Sequence, residues 1–100
     1  MELILSKEAT QWFKDEMDAT SGDFIKFFAR YGGSNPFHEG FSIGVNFEEP
    51  IQIAVSTVID GITFFVEEDD LWFFNNHDLH VTMDSETDEL HYEYVQPHLH

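Results

Sequence analysis

The chain contains no cysteine. That excludes disulfide bonds, thiolate catalysis, zinc fingers and any cluster held by its own thiolates. Basic residues are almost as scarce. Lys7, Lys14, Lys26 and Arg30 stand against twenty carboxylates, a formal net charge of −16. A surface of that sign repels phosphate backbones and anionic membranes, so neither nucleic acid nor a lipid surface is an expected partner. Cations or a basic protein face are the natural counterparts, with solubility as the simpler use of the charge. No apolar run approaches the length that spans a bilayer. Met1-Glu2-Leu3-Ile4-Leu5 has neither the basic flank nor the apolar stretch of a secretory signal, so the expected location is the cytoplasm.

Aromatic residues, by contrast, are plentiful: eleven Phe, three Tyr and two Trp in 100 residues. That much apolar area argues for a folded chain despite the charge. The length suits a single domain over 1–100 that needs no disulfide or structural metal to hold a core.

Leu3–Leu5 is a short apolar entry. Ser6 suits an N-cap and Glu8 the first turn of a helix, with Ala9, Trp12, Phe13, Glu16 and Met17 on one face. The helix should end near Asp18, where Ala19–Asp23 reads as a turn. Phe24–Tyr31 and Phe41–Phe47 read as strands, the second placing Phe41, Ile43, Val45 and Phe47 inward. Gly44, on the outer face, leaves room for another backbone to approach. Between these strands, Gly32, Gly33, Asn35-Pro36 and Gly40 make a shaped loop, the favoured place for a binding site. Ile51–Ile59 and Ile62–Val66 flank Asp60-Gly61, a strong two-residue hairpin signal that pairs Ile59 with Ile62 and Thr57 with Phe64. Glu67–Asp70 precedes a short helix over Leu71–Phe74, where the helix dipole accepts acid. Leu79–Met83 and Leu90–Tyr94 form a last hairpin with Val81 opposite Tyr92 and His80 opposite Glu93. The tail 96–100 reads as loose. The expected core holds Trp12, Phe13, Ile25, Phe27, Ile43, Val45, Ile59, Phe64, Val66, Trp72, Val81 and Tyr92. Phe24, Phe28, Phe37, Phe65 and Phe73 find no fixed place in this pattern, and a homodimer surface is one use for them.

Catalytic motifs are missing: Ser34 sits in no nucleophile elbow, and Gly32-Gly33 is no phosphate-binding loop. With twenty carboxylates, choosing one pair for acid–base work is arbitrary. No enzyme is expected. Metal binding is the one chemistry with several pointers. His38-Glu39 offers imidazole and carboxylate side by side in the loop. In the last hairpin, His80 and Glu93 would stand roughly 5 Å apart at Cβ, with His91 on the diagonal. Two histidines and a carboxylate suit ferrous iron with open positions. His98 and His100 form a third pair on the tail. The simpler reading of each is a solvated side chain.

The order of elements adds a resemblance. Leu5-Ser6-x-x-Ala9 leads into a helix, and a strand ends at Arg30-Tyr31-Gly32-Gly33-Ser34. A strand over Phe41–Phe47, an acidic link, Asp60-Gly61-Ile62-Thr63-Phe64-Phe65-Val66, a short helix and a strand pair follow. This order, covering about residues 3–95, resembles the HesB/IscA-like (A-type iron–sulfur cluster biosynthesis) domain family, in its cysteine-less branch of small Gram-positive proteins. The resemblance implies a mainly β, α+β fold: a half-barrel of two mixed or antiparallel sheets with an N-terminal helix and a short second helix. The family's cysteines are missing here, so cysteine-based cluster ligation does not carry over. What the resemblance implies is a non-enzymatic accessory protein that binds iron weakly or docks on iron–sulfur assembly machinery through the loop. His38, Glu39, His80, His91 and Glu93 would be its metal ligands, and iron the cofactor if one is bound. The alternative is a metal-free acidic interaction domain for a basic protein.

Overall fold

The structure, a computed structural model, describes residues 1–97. Its elements run β1 (Leu3–Leu5), α1 (Lys7–Glu16), β2 (Phe24–Ser34), β3 (Glu39–Phe47), β4 (Ile53–Ile59), β5 (Ile62–Glu67), α2 (Leu71–Phe74), β6 (Asp78–Asp84) and β7 (Glu89–Val95). They form an α+β fold dominated by strands. One sheet has the order β3-β2-β5-β4 and the other β1-β6-β7; both are mixed, and neither closes into a barrel. No helix among the described residues is long and apolar enough to cross a membrane.

Local chemistry accounts for the boundaries. Ser6 Oγ accepts from the Ala9 N–H at 3.0 Å and starts α1. Asp18, at φ 56°, turns the chain out of the helix at the other end. Asp60 and Gly61 both adopt positive φ, as a two-residue hairpin turn requires, and pair Ile59 with Ile62 and Thr57 with Phe64. The last hairpin likewise sets Val81 against Tyr92 and His80 against Glu93. Leu3–Leu5 is more than an entry segment. It is a strand that runs parallel to β6 and pairs Leu3 with Leu79.

The core lies between the sheets. Phe13 from α1, Ile25 and Phe27 from β2, Ile62, Phe64 and Val66 from β5, Phe73 and Phe74 from α2, and Leu79 and Val81 from β6 are all fully buried. Trp12, Ile43, Val45, Ile59 and Tyr92 pack on this group while staying partly accessible. Trp72, expected inside, is instead 50% exposed, because a four-residue helix can turn only one side inward and Phe73 and Phe74 take it.

The four-stranded sheet is covered on its outer side as well. The link from β3 to β4 has to pass from one edge of the sheet to the other, and outer-face side chains hold it there. Lys26 pairs with Glu48 at 3.2 Å, and the buried Glu67 carboxylate accepts the Ile51 and Gln52 N–H groups at 2.7 Å each. This explains why Phe65, on the same side of the sheet, has no exposed surface. On the neighbouring strands the Phe28 ring lies on Gly44, where a Cβ would come within 2.5 Å of it. The close approach expected at Gly44 is thus made by a ring and not by a backbone. Gly44→Ala should cost about 1–3 kcal/mol from overpacking. Urea unfolding checks this, with part of the loss returning in the Gly44→Ala, Phe28→Leu double variant.

Candidate functional site

The β2–β3 loop is folded by its own side chains. Gly32 and Gly33 take positive φ and break the pairing register between Tyr31 and Ser34. Asn35 Oδ1 then accepts the N–H groups of Phe37 and His38 at 2.7 and 2.9 Å, which curls the loop back over α2. A chain of ring contacts results. Tyr31 meets Phe41 at 5.5 Å between centroids, Phe41 meets Trp72 at 5.4 Å, and Trp72 meets His38 at 5.0 Å. His38 also stacks on buried Phe73 at 5.8 Å, while Phe37 packs on His77 and Tyr94 at 4.7 and 5.2 Å. The inner rings anchor the outer ones. Tyr31 is 87% exposed and Trp72 half exposed, with Leu71 beside it, so the cluster ends in an aromatic ridge at the surface. Acid borders it: Glu68 and Asp69 form the turn just before α2, and Asp70 Oδ1 accepts the Ala29 N–H at 3.4 Å, tying that turn to β2.

The residues expected to bind metal do not converge. His38 is half-buried among aromatic rings, and its Nε2 is buried with no hydrogen-bond partner among the described residues. Glu39 is exposed at the start of β3. His80 and Glu93 do oppose each other across the hairpin, but the close pair is His91 Nε2 with Glu93 Oε1 at 3.4 Å, both well exposed. Opposed Cβ atoms are not convergent donor atoms. Among the described residues no three His, Asp or Glu side chains are grouped to hold a metal ion, and His98 and His100 lie outside those residues.

No family model matches the chain. It is 46% identical over 94 residues, 94% of this chain and 99% of the relative, to a Bacillus subtilis protein named pyruvate dehydrogenase inhibitor. The chain belongs to the family of that inhibitor. Uncharacterized staphylococcal proteins match along the same length: one from Staphylococcus saprophyticus is 37% identical over 92% of this chain and 97% of its own, and one from Staphylococcus haemolyticus is 32% identical over 92% and 96%.

Membership in the inhibitor family corrects the HesB/IscA-like resemblance and, with it, the reading as an iron–sulfur biosynthesis accessory protein. The element order that suggested the resemblance is real. An order of strands and helices is shared more widely than a function, however, and the cysteines that define the iron–sulfur chemistry are missing. The metal-binding reading is corrected as well, on the scattered donors just described.

The ridge itself went unread in the sequence. The sequence pattern places Trp72 in the core and Tyr31 at a strand end. The available signal was a large aromatic at each end of a Gly-rich loop and a short helix, where packing cannot cover both sides.

Three groups in this region titrate abnormally. Burial raises the Asp70 carboxyl above its ordinary 3.8, against the lowering effect of the Ala29 N–H. Burial likewise pushes Tyr92 and Tyr94 to about 12. For the tyrosines the unfolded chain, with ordinary phenols near 10, loses protons first as pH rises. Stability must then fall from pH 10 towards 12. Urea midpoints measured across that range should drop with pH, and Tyr92→Phe should flatten the drop. A slope unaltered in Tyr92→Phe would contradict the burial of this phenol.

Proposed function

We propose that this chain is a non-catalytic protein inhibitor that docks on an enzyme complex of the pyruvate dehydrogenase kind. The observation that carries the reading is the aromatic ridge. Tyr31 and Trp72 present exposed rings that both rest on Phe41, and Trp72 also packs on His38 and Phe73, so part of the ordering that Trp72 needs on a partner is already in place. Tyrosine and tryptophan are the residues most often found at the energetic centre of protein interfaces. The name of the Bacillus subtilis relative supplies the kind of partner.

The charge supplies its sign. With −16 on the chain and acid at Glu68 and Asp69 beside the ridge, the face it fits is basic. Long-range attraction would speed encounter and the aromatic contact would hold the complex. His38 and Glu39 enter this reading as parts of the loop that shapes the ridge, and not as metal ligands. The protein is taken to work in the cytoplasm, as one folded unit.

The test is inhibition of purified pyruvate dehydrogenase complex from Bacillus subtilis by the full chain. Activity should fall with dose. Tyr31→Ala and Trp72→Ala should each raise the half-inhibitory concentration about tenfold or more, in line with about 1.4 kcal/mol or more per aromatic anchor. Inhibition should also weaken as sodium chloride is raised. Inhibition unaffected by both substitutions, with each variant folded, would contradict the ridge as the docking surface.

A further inference from the structure

A second feature lies on the other side of the same loop. A cavity of about 320 Å³ opens between the β2–β3 loop and β7, large enough for a small organic molecule. Its walls carry no carboxylate, whereas Glu8, Asp15, Asp84 and Asp88 line the groove beside Trp12, and Glu67, Asp69 and Asp70 line the hollow beside Lys26. In a chain with twenty carboxylates and four strong cations, this cavity instead contains Arg30. Lys14 and Lys26 are paired with acid, and Arg30 has no ion pair among the described residues.

The other polar groups of the cavity, Ser34, Asn35, Ser42, His91, Tyr92 and Tyr94, each carry a donor as well as an acceptor. Ser42 stands directly across from Arg30 in the β2–β3 pairing, and its Oγ is buried without a hydrogen-bond partner among the described residues. Gly33 lies against that side chain, where a Cβ would come 3.0 Å from the Ser42 Cβ and 3.2 Å from its hydroxyl. Tyr92 and Tyr94 contribute phenols that burial keeps protonated far above neutral pH, although the Arg30 charge works the other way at Tyr92. The Asn35 amide is already spent on the loop. Ile43 and Leu90 add an apolar wall. His91 also lines the cavity, and its Nε2 lies 3.4 Å from Glu93 Oε1.

We propose that this cavity binds a small organic carboxylate, its oxyanion head on Arg30 and the Ser42 hydroxyl and its short aliphatic part against Ile43 and Leu90. Guanidinium offers two parallel N–H donors to a carboxylate, and a buried hydroxyl lacking a partner gains one when the anion enters. The apolar wall favours a short organic acid over an inorganic anion. The inference stands apart from the docking role, because Arg30, Ser42, Ile43 and Leu90 are not residues of the exposed ridge.

Calorimetric titration of the full chain with butyrate, inorganic phosphate and butylammonium, all as chloride-matched solutions, tests it without any enzyme complex. Butyrate should bind saturably and butylammonium should not. Arg30→Gln should weaken butyrate binding about tenfold or more, Ser42→Ala should weaken it less, and Tyr31→Ala, on the ridge, should leave it unaltered. Circular dichroism confirms that each variant is folded, and Arg30→Lys, which keeps the charge but loses the fork, should fall between wild type and Arg30→Gln. Absence of butyrate binding, equal binding in Arg30→Gln, or binding of phosphate alone would overturn the proposal.

Discussion

Phe27 stands where the layers of this protein meet. Its ring packs edge-on against Phe13 of α1 at 5.9 Å and against Tyr92 of β7 at 6.4 Å, and lies near Phe64 of β5 at 6.3 Å. One side chain thus joins the helix, its own sheet and the three-stranded sheet. Edge-to-face packing of this kind adds about 0.5–1.5 kcal/mol per pair beyond simple burial. Because β2 carries Phe27 in its first half and the proposed ridge and cavity towards its end, the position of both candidate sites depends on that contact. Tyr31 lies four residues further along the same strand, and Arg30 three.

The abundance of aromatic residues then has a division of labour. One group, Phe13, Phe27, Phe64 and Phe65, closes the interior and the outer side of the large sheet. A second group, Phe37, Phe41, Phe73 and Phe74, carries the core outward, from the buried Phe73 and Phe74 to the loop. It fixes a loop and a single helical turn that would otherwise have too little backbone hydrogen bonding to hold a shape. The side chains at its limit, Tyr31 and Trp72, are left at the surface by that arrangement. In the proposed docking, they are the apolar contact that a basic partner would reach after electrostatic encounter.

The strands and turns were legible because each rests on nearest neighbours in the chain. Ser6 and Glu8 mark a helix start, Asp60-Gly61 a hairpin, and alternation at Leu79–Met83 and Leu90–Tyr94 a register, and the structure has all three. Three features were not legible, each for a long-range reason. The pairing of Leu3–Leu5 with β6 joins residues more than seventy apart. The burial of Phe65 depends on a crossover held by Glu67, which read as part of a helix start. The exposure of Trp72 depends on which side of α2 the core takes. The candidate site suffered most. Histidines and carboxylates at suggestive spacings drew attention to metal chemistry, whereas the residues brought together are rings at one side of the loop and donors at the other.

The most direct measurement of the central claim is hydrogen exchange of the chain, alone and bound to pyruvate dehydrogenase complex. Slowed exchange at residues 31–41 and 71–74 is the expected footprint, since the loop and α2 carry the ridge. Slowing confined to α1 and the β6–β7 turn, with residues 31–41 exchanging as in the free chain, would place the contact on the acid-lined groove beside Trp12 and contradict docking through the ridge.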